Sequence, residues 1–168
     1  MKDIIIFDGA FGTYYTGLYG GEEYPESATI RHPERVQAIH REYIASGANA
    51  IKTNTFAANP ATISDFELLR ETLKSGYHIA MSAASGSVRV FADIGPIVSE
   101  DAAADYLTVA KIFLDEGASC FLFETLSEIS ALEPTIQYIK EKVPHATIVT
   151  SFAVTQDGYT RSGEYYHT

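Results

Sequence analysis

The chain has 168 residues, 46% of them apolar and 20% charged, which suits one globular domain with a sizeable core. Its formal charge of −10 excludes the basic face that nucleic acid requires and disfavours docking on an anionic membrane. The single cysteine, Cys120, excludes an internal disulfide and any metal site built from several cysteines of this chain.

No apolar run approaches the roughly 18 residues of a membrane span. The start, Met1-Lys2-Asp3 and then four apolar residues, is too short and too soon acidic for a signal peptide, so the cytoplasm is the expected compartment. The run Ile4-Ile5-Ile6-Phe7 reads as a buried strand, with Asp8-Gly9-Ala10-Phe11-Gly12-Thr13 at its tip. Glycines at 9 and 12 open backbone conformations closed to other residues and let a ligand approach the main chain. N–H groups exposed there suit a carboxylate or phosphate, and Asp8 beside them suits a cation. The tip therefore fits a zwitterion such as an amino acid, unless Asp8 only closes a turn. The connection over 14–31, with Tyr14, Tyr15, Tyr19 and Tyr24 among glycines and acids, reads as a loop.

His32-Pro33-Glu34 opens a helix with proline at its first position, and Gly47 stops it. Val36, Ile39, Tyr43 and Ile44 share one face, where His40 reads as a packed, hydrogen-bonded histidine. Residues 48–56 form the second strand, ending in Thr53-Asn54-Thr55, and a helical region follows, strongest over 66–84. The third strand, 88–92, ends in Asp93-Ile94-Gly95-Pro96. Ser99 is placed to cap the next helix, which stops at Gly117. Residues 119–123 make the fourth strand, with Glu124-Thr125 as its tip. Pro134 opens a helix to about 142, and 146–154 is the fifth strand, followed by the turn residues Gln156-Asp157-Gly158-Tyr159.

Strands alternating with helices imply right-handed βαβ units, a parallel sheet covered on both faces, and a ligand site at the carboxyl ends of the strands. Asp8, Asn54, Asp93 and Glu124 all fall at that rim. No dinucleotide-type glycine fingerprint and no phosphate-loop lysine follows the first strand, which favours an α/β barrel. A closed (β/α)8 TIM barrel takes about 250 residues. Residues 1–168 are therefore expected to form one partial barrel domain of about five βα units, continuing past Thr168 or closed by another subunit as a homo-oligomer.

In order and spacing these motifs resemble the homocysteine S-methyltransferase family, the homocysteine-binding barrel of methionine synthases and betaine–homocysteine methyltransferases. The matching segments are 8–13 (with Phe11 where the family has Met), His32-Pro33-Glu34, Thr53-Asn54-Thr55-Phe56, Ile94-Gly95-Pro96, Phe123-Glu124-Thr125, and Asp157-Gly158 with Ser162-Gly163. The resemblance implies that Asp8 and Glu124 hold the ammonium of homocysteine and that N–H groups of Gly9, Ala10 and Phe11 hold its carboxylate. Asn54, with Thr53 and Thr55, either touches substrate or ties the rim together, and Asp93 reads as structural. The resemblance further implies a Zn2+ ion held by three cysteines that favours the homocysteine thiolate. A small methyl donor, with folate or cobalamin among the possible methyl sources, is implied as well. Those cysteines would lie beyond Thr168, Cys120 packs as a small apolar residue, and the chain by itself is expected to be inactive. Two other readings stay open. One is a Mg2+-dependent lyase or aldolase barrel acting on a carboxylic acid through Asp8, Asp93 and Glu124. The other is a non-catalytic amino-acid-binding module.

Overall fold

The computed structural model describes residues 4–21 and 24–166. The reading of Met1-Lys2-Asp3, a part of the tyrosine-rich connection, and the last two residues lie outside that range. The described helices and strands run in the order α1 (Phe11–Tyr19), α2 (Ala28–Arg31), α3 (Pro33–Ala45), β1 (Ala50–Lys52), α4 (Phe66–Ala84), β2 (Arg89–Ile94), α5 (Ala102–Asp115), β3 (Cys120–Leu126), α6 (Glu133–Lys142) and β4 (Thr147–Phe152). Short 3-10 turns, Pro25–Ser27 and Ser130–Leu132, precede α2 and α6. Among these residues no helix is long and apolar enough to cross a membrane.

The four strands form one parallel sheet in sequential order, β1-β2-β3-β4. A helix fills each connection, and the order never reverses as it does in a doubly wound sheet. Alternation along the strands separates two faces. Ile51, Val90, Ala92, Ile94, Phe121 and Phe123 point toward the helices and join the main core with Leu69, Leu73, Val109 and Phe113. Ala50, Phe91 and Leu122 form a smaller cluster on the opposite face, with Phe7, Cys120 and Val149 against it. The same alternation carries Lys52, Asp93 and Glu124 onto that second face, at the carboxyl ends of the strands.

The run 4–7 is not the buried strand expected. It makes one parallel bridge, Phe7 to Ala50. The Asn49 side chain accepts from the Ile6 N–H at 2.7 Å and donates to the Ile4 carbonyl at 2.8 Å, so backbone pairing is confined to the Ile6 carbonyl and the Asp8 N–H. Ile4 and Ile6 are 76% and 53% exposed.

The connection over 14–31 is largely helical where it is described. Helix α1 has no side-chain cap and is rich in glycine and tyrosine, so local propensity does not announce it. Packing holds it, since Phe11 and Tyr15 join Ala28, Val36 and Ile39 in a satellite core. His40 is fully buried there, its ring 5.1 Å from that of Phe11. It is packed as expected but not hydrogen-bonded, for neither ring nitrogen has a partner. Asp101 rather than Ser99 caps α5, accepting from the Ala104 N–H, while the Ser99 hydroxyl donates to Asp105. Helix α4 has the expected bounds, its first turn capped by Asp65. Gly9 and Gly12 do not adopt the left-handed backbone anticipated for them. A Cβ at Gly9 would stand 2.9 Å from the Tyr43 hydroxyl, and one at Gly12 3.2 Å from the Pro25 ring, so close packing is their reason.

Candidate functional site

Strand β1 ends in a polar corner that fastens the rim together. The Thr53 hydroxyl accepts from the Asp93 N–H at 2.9 Å and shares a 2.6 Å bond with the Thr55 hydroxyl, which donates to the Asp93 carbonyl at 2.8 Å. The Asn54 amide donates to the Pro25 carbonyl at 3.0 Å and to the Thr29 hydroxyl at 3.1 Å, tying the turn before α2 to the sheet. The Gly95 N–H donates to the Phe56 carbonyl at 2.9 Å, and a Cβ on Gly95 would meet that oxygen at 2.6 Å. Only glycine admits this approach.

Above the corner opens a cleft of about 390 Å³. Its wall holds Asn54, Asp93, Glu124 and the first turn of α1, including Ala10 and Phe11. Asp8 and Gly9 stand behind that wall. Asp8 is buried, its Oδ2 accepting from the Lys52 N–H at 3.1 Å, while its Oδ1 is without a partner. Burial drives its pKa up to about 6 against the downward pull of the Lys52 N–H and ammonium, with Glu124 adding to the rise. Burial also holds Asp93 well above the usual carboxylate range, helped by the charge of Glu124 and opposed by Lys52. Asp93 Oδ1 is likewise buried and unpartnered.

Glu124 lies inside β3 rather than beyond it. The pairing with β4 shifts register between Phe123 and Leu126, and Thr125 has φ of 61°. That is the left-handed region, where a β-branched residue is an outlier, and such a bulge re-aims the side chain beside it. Here the side chain is Glu124, whose Oε1 and Oε2 accept from Lys52 Nζ at 2.9 and 3.3 Å. Burial alone would lower the Lys52 pKa, but the Glu124 hydrogen bond and the nearby acids hold it above its ordinary value. Helix α1 has no side-chain cap, and its uncapped, partly positive N-terminal turn lines the cleft.

Two wall residues were absent from the sequence reading. Lys52 sits in what read as an apolar strand, and its one signal was a charge on the same alternation as the strand-tip acids. Glu26, in the turn before α2, gave no signal. Its Oε1 accepts from the Ala57 N–H at 2.7 Å and its buried Oε2 is without a partner. It also borders an adjoining apolar pocket of about 220 Å³.

The zinc chemistry implied by the resemblance has no thiolate here. Cys120 begins β3, four residues and about 13 Å of strand from Glu124. It faces Phe91 and Leu122 in the lower cluster, not the cleft. Among the described residues no three His, Cys, Asp or Glu side chains are placed to hold a metal ion.

The cleft thus lies at the carboxyl edge of a parallel α/β sheet, with acids and the first turn of α1 in its wall. Residues 5–168 match the homocysteine S-methyltransferase family, and the chain belongs to it. Methionine synthase of Mycobacterium tuberculosis (strain ATCC 25618 / H37Rv) is 28% identical over 164 residues, covering 79% of this chain and 13% of that protein. Betaine–homocysteine S-methyltransferase 1 of Xenopus tropicalis is 34% identical over 59 residues, 34% of this chain and 15% of its own. The metallated form of the homocysteine methyltransferase MmuM from Escherichia coli superposes with a TM-score of 0.80 at 20% identity, over 96% of this chain and 67% of that one. The chain thus spans 13% of the methionine synthase and about two thirds of the MmuM barrel.

Proposed function

We propose that this chain is the amino-acid-binding portion of a cytoplasmic homocysteine S-methyltransferase, a (β/α)8 barrel of which residues 1–168 supply about five units. The observation that carries this reading is the meeting of Asp93, Glu124 and the first turn of α1 at one cleft, with the buried Asp8 in electrostatic reach of Glu124. Homocysteine carries its ammonium and carboxylate on one carbon, so a site for it needs an acid and an anion cradle a few ångströms apart. Asp8 and Glu124 take the ammonium, and the N–H groups of Gly9, Ala10 and Phe11 take the carboxylate. Asn54 holds the wall that frames them. Bound Zn2+ would favour the thiolate form of homocysteine, the form able to accept a methyl group. Its three thiolates come, in this reading, from outside residues 1–168, and the methyl source is a small donor, with folate or cobalamin among the candidates. The chain alone binds substrate without turning it over.

Calorimetric titration of L-homocysteine into the chain tests the assignment. Asp8→Asn and Glu124→Gln should each weaken binding by about tenfold or more, the loss of one charged contact in a partly buried site. Unchanged affinity in both would remove the ammonium assignment.

A further inference from the structure

Beside the cleft lies a second cavity, of about 220 Å³, bordered by α2, the segment 57–63 and the first turns of α4. It shares Tyr24, Glu26 and Ala57 with the cleft, and Ile30, Ile63 and Leu68 give it apolar walls. Tyr24 and Leu68 are 48% and 45% exposed, apolar surface left open to solvent. Most polar side chains of this pocket are spent within the fold. The Thr62 and Thr72 hydroxyls donate to the carbonyls of Ala57 and Leu68, and Ser27 and Arg31 are engaged. Glu26 is the exception. It is 6% exposed, its Oε1 accepts from the Ala57 N–H at 2.7 Å, and its buried Oε2 has no partner. Taking a carboxylate oxygen out of water without a donor is costly, so one in a cavity wall calls for a hydrogen-bonding occupant.

We propose that this pocket is a binding site for a small organic ammonium ion, its apolar body against Ile30, Ile63 and Leu68 and its N–H groups on Glu26 Oε2. The size agrees. A cavity of about 150 Å³ holds benzene, so this one takes an aromatic ring with an aminomethyl group. The charge agrees as well. A positively charged N–H binds a carboxylate more strongly than a neutral donor does, and the formal charge of −10 draws cations to the chain rather than anions. A water molecule could serve Oε2 but leaves the apolar walls uncovered. Arg31 borders the same pocket, which makes an organic anion the rival occupant. The inference is independent of the homocysteine reading, because it uses none of the groups assigned to that substrate.

Benzylamine, benzyl alcohol and benzoate, similar in shape and different in charge, are titrated separately into the wild-type chain and followed by amide NMR shifts. Benzylamine should bind at ~1 mM and about tenfold or more tightly than benzyl alcohol, with its largest shifts at Ile30, Ile63 and Thr72. Glu26→Gln keeps an oxygen for the Ala57 N–H and, with its folding checked by circular dichroism, should lose the preference for the amine. A folded Glu26→Gln that keeps it would overturn the proposal. Equal binding of amine and alcohol in the wild type would do the same, a comparison that needs no variant. Three further results would also overturn it. They are preference for benzoate, amine shifts confined to Asn54, Asp93 and Glu124 in the cleft, and no binding of any probe at about 10 mM, the last leaving only water on Glu26. L-Homocysteine titrated by itself reports on the cleft, so amine binding in a protein that ignores homocysteine would uphold the pocket and remove the substrate reading.

Discussion

Two buried ionisable residues pull the stability of this chain in opposite directions with pH. Burial lowers the His40 pKa to about 4, from an ordinary value of 6.5. Above pH 6.5 the ring is neutral folded or unfolded, whereas between 6.5 and 4 only the unfolded chain takes the proton, so stability falls with pH. The loss amounts to about 2–4 kcal/mol by pH 4. Asp8 behaves the other way, since its folded pKa of about 6 lies above the ordinary 3.8. Its contribution is intact below 3.8 and is lost as pH rises through 6. Urea denaturation at a series of pH values separates the two. Relative to wild type, His40→Leu should gain stability as pH falls from 6.5 to 4, and Asp8→Asn should gain as pH rises from 4 to 6. Parallel profiles for wild type and His40→Leu would mean that the folded ring is protonated like a free one. At this scale Asp8, Asp93 and Glu124 were legible in the sequence because acids at strand ends stand out. Lys52 and Glu26 were not, because only the fold shows which way a strand lysine points or where a loop acid is buried.

Among the elements, β3 carries the clearest sign of stored strain. Thr125 holds a left-handed backbone at the bulge that aims Glu124, and its N–H donates to the Ser151 hydroxyl at 3.0 Å. A non-glycine residue there costs about 1–2 kcal/mol. Thr125→Gly should therefore raise the melting temperature while weakening homocysteine binding, because the bulge is no longer fixed in one geometry. A variant that is less stable and binds as well as wild type would contradict this account of the bulge. The elements also show why some were readable and others not. Helices α3, α4, α5 and α6 combine amphipathic spacing with caps, proline starts or glycine stops, and their bounds follow closely from the sequence. Helix α1 has none of these signals and exists by packing on α3. The run 4–7 has the composition of a strand, yet the Asn49 side chain takes the Ile6 N–H and Ile4 carbonyl and leaves a single bridge to β1. Neither competition is visible before the chain is folded.

For the whole molecule, sequential parallel order and helical connections give the chain its barrel-like winding, and one face of the sheet gathers the cleft. Ile4 and Ile6 remain exposed beside β1, an apolar edge of the kind that pairs with other chains. The 168-residue chain should self-associate in proportion to concentration, and an Ile4→Lys, Ile6→Lys double variant should reduce that association in sedimentation experiments without disturbing the cleft. Equal association of the two proteins would place the contact elsewhere. The alternation of helix and strand was plain in the sequence, as was the family resemblance, because both rest on local runs and motifs. The cleft is lined by residues drawn from five separate segments, a convergence that no local pattern specifies.

The central claim is that the cleft recognises both charged groups on the α-carbon of homocysteine. Comparative calorimetry with three thiols tests it most directly: L-homocysteine, 4-mercaptobutanoate, which lacks the ammonium, and 3-mercaptopropylamine, which lacks the carboxylate. L-Homocysteine should bind about tenfold or more tightly than either analogue, with the ammonium-free thiol losing its dependence on Asp8 and Glu124. Equal binding of all three, or binding of none, would contradict the account.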